Sequence, residues 1–301
     1  KLVITENNGK KVRIIFFIPQ NVETVILDYQ TGYFYKKIFK NKIILHTRGE
    51  KYYLKILIYS ILQWFLVKRT LNQIYIINCI KIINPKYLIT FTDYNLFFLS
   101  LKKIFPKKKL IIFQSHTRSF QTLVETIGPR YNKFKKFEVD YIFMWGKRFK
   151  DYYDYLLNGK KIISGNIKNN LFKKKKKLKS EKTLVLISQF RVNKIAEFHF
   201  NDKKTERFLK DFYDNLRKYI EQKKIKLLII GNKLNKKEAL AEELFFFKML
   251  GNEFIFLKKK DIFDSYIYSQ KFNNFITNSS SLGLELIARG KRVCFINRES
   301  P

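Results

Sequence analysis

The densest group of potentially reactive side chains lies between residues 277 and 285, where Thr277, Asn278, Ser279, Ser280 and Ser281 run into Gly283 and Glu285. Serine hydroxyls ahead of a helix either cap it or contact a phosphate, because the first helical N–H groups lack intrahelical partners and carry the positive end of the dipole. Gly283 removes the side chain that would hold a ligand off the first turn. Glu285, on the same helix, stands at a spacing from which a carboxylate accepts hydrogen bonds from a ribose. The structural alternative is equally open at this point: Ser281 as N-cap, Gly283 as a packing residue and Glu285 as an acid offsetting the dipole. A second cationic group, Arg191 and Lys194, follows the apolar run 183–187. In a parallel sheet it faces the same edge as the serine turn, where it would neutralise a leaving diphosphate without a metal.

Acid–base chemistry has candidates in the first half. His116 and Arg118 follow an apolar strand; imidazole titrates near neutral pH and guanidinium holds carboxylate or phosphate in a bidentate fork. A lone loop histidine is more often structural, so a chemical role requires that His116 face a cleft. Arg48 suits an anionic acceptor group and Glu50 a base, against the alternative of a capping segment with a surface ion pair. Asp93 is either the N-cap of a helix over 94–104 or an acceptor-side base at a strand end. No Asp-x-Asp motif follows a strand, so metal-independent chemistry without a cofactor is expected.

These groups need a scaffold that delivers strand ends to one edge. In the first half, β-rich runs at 11–18, 22–28, 42–45, 87–91, 110–114, 139–145 and 160–163 alternate with helical patterns, among them 71–83, 94–104 and 147–157. The run 54–67, LKILIYSILQWFLV, is interrupted by Lys55, Ser60 and Gln63 and is too short to span a bilayer. It reads as a buried helix; the alternative sets Trp64 and its neighbours against a membrane surface, with Lys51, Lys55, Lys68 and Arg69 facing acidic headgroups. Residues 173–180, KKKKKLKS, repel one another and read as a solvated linker, or else as a lure for phosphates into an interdomain cleft. Beyond it, strands at 183–187, 226–230, 254–257, 273–276 and 292–296 alternate strictly with helices at 205–222, 236–250, 261–270 and 282–289. The expected fold is α/β: two Rossmann-like, doubly wound parallel-sheet domains, 1–172 and 181–301, facing a cleft, the second one incomplete.

Residues 261–298, with the TNSSS turn, G-x-E and A-R-G-K-x-V, resemble the C-terminal nucleotide-binding half of GT-B-type glycosyltransferases. More narrowly they are similar to bacterial surface-carbohydrate biosynthesis proteins of the O-antigen and capsule kind. The stretch ISGNIKNNLF at 163–172 resembles the segment that closes the first domain in such enzymes. The resemblance implies that Ser279, Ser280, Ser281 and Gly283 lie near the donor's diphosphate and Glu285 near its sugar hydroxyls, with Arg191 and Lys194 as basic phosphate contacts. It implies a transferase moving a sugar, or a polyol phosphate, from a nucleotide donor to a surface polysaccharide or lipid-linked acceptor. His116, Asp93 or Glu50 would then act as base, with Arg48 and Arg118 on the acceptor. Two rivals share the layout: a non-hydrolysing nucleotide-sugar epimerase, and a non-catalytic basic binding or scaffold protein.

Composition sets outer bounds. At 301 residues and 46% hydrophobic content the chain has material for one large or two ordinary cores. A net charge of +36 attracts polyanions. The lysines are nevertheless spread along the chain, alongside abundant Ile, Asn, Phe and Tyr, so a general compositional bias accounts for them and no specific nucleic-acid partner is expected. The expected partners are a nucleotide sugar, a glycan or lipid-linked acceptor and an anionic membrane touched peripherally. Cys79 and Cys294 lie far apart in apolar contexts, which fits neither a disulfide framework nor a zinc site and points to a reducing cytoplasm. The opening KLVITENNGKK lacks the layout of a signal peptide.

Overall fold

The computed structural model describes residues 2–5, 11–18, 20, 22–27, 39, 41–45, 51–114, 136–172, 182–190, 203–261, 263–278 and 280–296. The chain divides into two compact units, Lys1–Lys168 and Asn169–Pro301.

In the first unit, β1 (Leu2–Thr5) and β2 (Lys11–Ile15) pair antiparallel. The strand β5 (Lys51–Tyr53) joins β2 in parallel, completing a small three-stranded sheet. The main sheet of this unit holds six parallel strands: β3 (Thr24–Leu27), β4 (Lys42–Leu45), β6 (Tyr87–Thr90), β7 (Lys109–Phe113), β8 (Phe137–Met144) and β9 (Leu157–Ile163), in the order β4-β3-β6-β7-β8-β9. Its middle strands are apolar on both faces, with Val25, Ile26, Leu27, Leu88, Ile89, Leu110 and Ile112 buried, as a parallel sheet covered on both sides requires. The run 11–18, read as a strand, is one over its first five residues, but it lies outside this sheet, between β1 and β5. An Asn-Gly pair ahead of it was the available hairpin signal.

Helix α1 (Leu54–Trp64) packs on α2 (Leu71–Ile83). Thr70 caps α2 by accepting from the Gln73 N–H at 3.3 Å, and Asn84, left-handed at φ 51°, ends it before Pro85. The face of α1 toward α2 is partly polar: Asn78 Nδ2 donates to Ser60 Oγ and to Gln63 Oε1, each at 3.0 Å. The reading of 54–67 as a buried helix is corrected: Ile56 and Ser60 are buried, but Ile58, Tyr59, Ile61, Leu62 and Trp64 are exposed. Helix α3 (Leu96–Ile104) is capped by Asn95, which accepts from Phe98 N at 3.2 Å, so the cap is Asn95 and not Asp93. A single 3₁₀ turn (Lys147–Phe149) leads into α4 (Lys150–Leu156), and α5 (Ile167–Asn170) lies at the division between the units.

The second unit is a five-stranded parallel sheet of β10 (Thr183–Ile187), β11 (Lys226–Ile230), β12 (Phe254–Leu257), β13 (Asn274–Thr277) and β14 (Arg292–Phe295), in the order β12-β11-β10-β13-β14. Helices α6 (Lys203–Lys223), α7 (Lys236–Leu250), α8 (Asp264–Ser269) and α9 (Ser281–Ile287) connect them. On α6, Leu209, Tyr213, Leu216 and Ile220 recur at helical spacing and bury one stripe against β10, β11 and α7, where Phe246 and Leu250 complete the cluster. The strand order reverses between β10 and β13. In an open α/β sheet that reversal leaves a crevice outside the carboxyl ends of the two strands, the usual seat of a ligand.

Candidate functional site

The serine turn lies at that reversal. Thr277, the last residue of β13, is fully buried and its Oγ1 donates to Ile187 O, the end of β10, at 3.5 Å. The chain then passes Asn278 and enters α9 through Ser280, whose Oγ accepts from Leu282 N at 3.3 Å. The cap is thus Ser280, one residue before the Ser281 that the capping alternative names. A hydroxyl that accepts from the helix still carries its own proton, so capping leaves Ser280 able to donate to an anion.

Gly283 is set by packing within this unit. A Cβ there would lie 2.8 Å from Phe295 Cζ and 2.9 Å from Thr277 Cγ2, so α9 rests directly on β13 and β14. Glu285, two residues further on and one turn from the start of α9, is buried, and the hydroxyl of Tyr266 on α8 donates to its Oε1 at 3.3 Å. Tyr266 is in turn stacked on Phe172, ring centroids 4.9 Å apart and planes 4° from parallel. The stretch Asn169–Phe172 is clamped to α9: Asn169 Nδ2 donates to Glu285 O at 3.3 Å, and Arg289 donates from Nε to Asn169 Oδ1 and from Nη2 to Phe172 O at 2.7 Å. The buried acid is thereby fixed by two elements besides its own helix.

A second acid at the same edge escaped the sequence reading. Glu242 on α7 is fully buried and accepts from Ser188 Oγ, just beyond β10, and from the N–H groups of Asn232 at 2.8 Å and Lys233 at 3.1 Å, just beyond β11. Burial pushes its carboxyl above the usual range, while those three donors pull the other way. Lys259, beyond β12, donates to Asn232 O at 3.4 Å; burial lowers its ammonium and the charge of Glu242 opposes that. Glu242 therefore ties the ends of adjacent strands into one rim. Its signal in the sequence was an acid set in the stripe Ala239, Phe246 and Leu250, where a solvated glutamate has no place.

Asp93 belongs to the first unit, beyond the carboxyl end of β6, where it is buried and accepts from Tyr153 Oη at 2.5 Å. Thr90, at the end of β6, donates to Leu27 O at 3.0 Å and holds β3 and β6 together at the strand reversal of that sheet. Of the remaining sequence candidates, Arg48, Glu50, His116, Arg118, Arg191, Lys194 and Ser279 lie outside the described residues. The structure thus brings Ser280, Ser281, Gly283 and Glu285 together on one helix start. A cavity of about 520 Å³ opens at the opposite, amino edge of the second sheet, between Lys182, Tyr219, Asn274 and Arg292, away from the serine turn.

No curated protein matches the chain. Solved structures do. A "putative UDP-N-acetylglucosamine 2-epimerase" from Listeria monocytogenes is similar over 94% of this chain and 78% of its own, at 14% identity and a TM-score of 0.54. The UDP-GlcNAc 2-epimerase from Methanocaldococcus jannaschii, solved with UDP-GlcNAc and UDP, is similar over 94% and 83%, at 14% identity and 0.51. Anabaena HepE, solved with UDP and glucose, is similar over 91% and 80%, at 11% identity and 0.50. At such identities the likeness is one of fold, and it is the GT-B-type fold shared by these epimerases and by glycosyltransferases. A family model described as "putative O-antigen biosynthesis protein" matches residues 112–300. That match spans more than half of the chain, and the protein belongs to this O-antigen biosynthesis family.

Proposed function

We propose that the protein is a glycosyltransferase of O-antigen assembly that moves a sugar, or a polyol phosphate, from a nucleotide-activated donor to a polysaccharide or lipid-linked acceptor. The observation that carries this reading is the start of α9 at the strand reversal between β10 and β13, with buried Glu285 one turn inside it. In this reading the N–H groups around Leu282 and Gly283 and the hydroxyls of Ser279, Ser280 and Ser281 receive the donor's diphosphate. A carboxylate has room for about four hydrogen bonds, enough for Tyr266 and two ribose hydroxyls on Glu285. The acceptor hydroxyl attacks the sugar's anomeric carbon, its proton passes to His116, Asp93 or Glu50, and the bond to the nucleoside diphosphate breaks. Arg191 and Lys194 neutralise the departing charge, which makes a metal dispensable. Arg48 and Arg118 hold the acceptor.

The nucleotides in the similar structures make UDP the first donor to test. Thermal unfolding in the presence of UDP, GDP, CMP and CDP sugars is expected to show a rise for one nucleotide class, since a ligand bound only by the folded chain stabilises it. The absence of a rise with every donor would sink the proposal. A second reading, a non-hydrolysing epimerase, is favoured by the presence of epimerases among the similar structures. Incubation with donor alone separates the two: an epimerase interconverts the free nucleotide sugar, whereas a transferase leaves it unchanged until an acceptor is added.

A further inference from the structure

The inward side of α1 mixes buried Ile56 with polar Ser60 and Gln63, which bond Asn78 of α2. Ile58, Tyr59 and Leu62 form the opposite face at helical spacing, and Phe65 and Leu66, in the turn that follows the helix, extend it. That face is exposed most at its C-terminal end, where Leu62 is 64%, Phe65 76% and Leu66 85% accessible. Trp64 and Val67 widen it. An apolar face of this kind on a soluble surface marks an interaction site.

The charges around it identify the occupant. Lys55 at one end and Lys68 and Arg69 at the other are exposed, and no aspartate or glutamate occurs between Glu50 and Asp93. In a two-fold contact of this face with its own copy, these cations would meet their own like, since residues 51–92 carry no acid to receive them. An anionic lipid surface offers headgroup phosphates to the cations and acyl chains to the apolar face, and tryptophan settles at that boundary. Helix α1, eleven residues long, is too short to cross a bilayer, so against a membrane it would lie in the interface plane. We infer that the α1 face is the protein's docking surface for a membrane rich in anionic phospholipid, entered by Leu62, Phe65 and Leu66 and steered by Lys55, Lys68 and Arg69.

Flotation of the full chain with vesicles tests this, using phosphatidylglycerol mixed with phosphatidylcholine against phosphatidylcholine alone. The wild type is expected to float with the anionic vesicles and to remain partly bound at high salt. The L62S/L66S double variant, altered only at exposed positions, is expected to keep its melting temperature and lose about tenfold or more in partitioning. Brominated lipid should quench the wild-type tryptophan fluorescence and quench the W64F variant much less, a readout that stands even if the double variant misfolds. Equal flotation of wild type and double variant would overturn the inference, leaving only diffuse attraction by the net charge. So would a wild type that ignores vesicles and self-associates through this face, as judged by size-exclusion mass measurement against the double variant. Neither outcome bears on nucleotide-sugar binding, which these assays do not use.

Discussion

Tyr266 on α8 and Glu285 on α9 meet through a buried hydrogen bond of 3.3 Å. Phe172 closes over the tyrosine ring, so the carboxylate is held by a short stack running from the start of the second unit to its last described helix. Such support is what a binding acid needs, because a side chain held by its neighbours loses less entropy when a ligand arrives.

Glu285→Ala is expected to abolish most of the thermal shift produced by a nucleotide-sugar donor, and Tyr266→Phe to reduce it by a smaller amount. Losing a hydrogen bond to a charged group costs about 1.5–3 kcal/mol, roughly 10- to 100-fold in Kd. Calorimetric titration of both variants checks this; unchanged affinity in Glu285→Ala would remove the ribose role.

Gly283→Ala introduces a methyl group 2.8 Å from Phe295 and 2.9 Å from Thr277. Overpacking of this kind costs about 1–3 kcal/mol. Urea unfolding should show that loss, and the double variant G283A/F295L should recover part of it, since the closest contact is with the far end of the phenylalanine ring.

Asp140 gives the first unit an acid-sensitive joint. It accepts from Lys102 at 2.6 Å, from Lys109 at 3.0 Å and from Leu110 N at 2.9 Å. Burial alone would raise its carboxyl, yet these donors outweigh burial and hold it below the ordinary carboxylate value. Its stabilisation is therefore complete above the unfolded value and fades as pH falls through the folded one. Asp140→Asn should lower stability at neutral pH by about 1–3 kcal/mol and flatten the acid limb of a plot of melting temperature against pH.

Glu242 has the opposite sign. Its folded carboxyl lies above the unfolded value, so the stability it contributes is greatest in acid and declines as pH rises through that interval. Glu242→Ala is expected to remove this decline and to destabilise the chain, because the buried Ser188 hydroxyl and the part-buried N–H groups of Asn232 and Lys233 lose their acceptor, at about 1 kcal/mol for each bond. Hydrogen exchange at those two amides reads the effect directly: both should exchange faster in the variant.

The strands of the second unit were legible because each is a short apolar run rich in Leu, Ile and Phe, as at 183–187, 226–230 and 254–257, set between helices of plain 3.6-residue period. The serine turn was legible because a strand, a cluster of small polar residues and a helix are all local signals. Tertiary structure alone decided the rest. Lys11–Ile15 is a good strand by composition, and its place between Leu2–Thr5 and Lys51–Tyr53 in a separate small sheet was settled by the tertiary structure. The run 54–67 is apolar on nearly every side, so its buried face was settled by Asn78, a residue on another helix that bonds Ser60 and Gln63. Asp93 found Tyr153, and Glu242 found Ser188, each across more than fifty residues of chain. Periodicity and capping act within a few residues and can be read from the chain directly. The partner of a buried polar group is chosen by whichever donor the completed packing brings within reach.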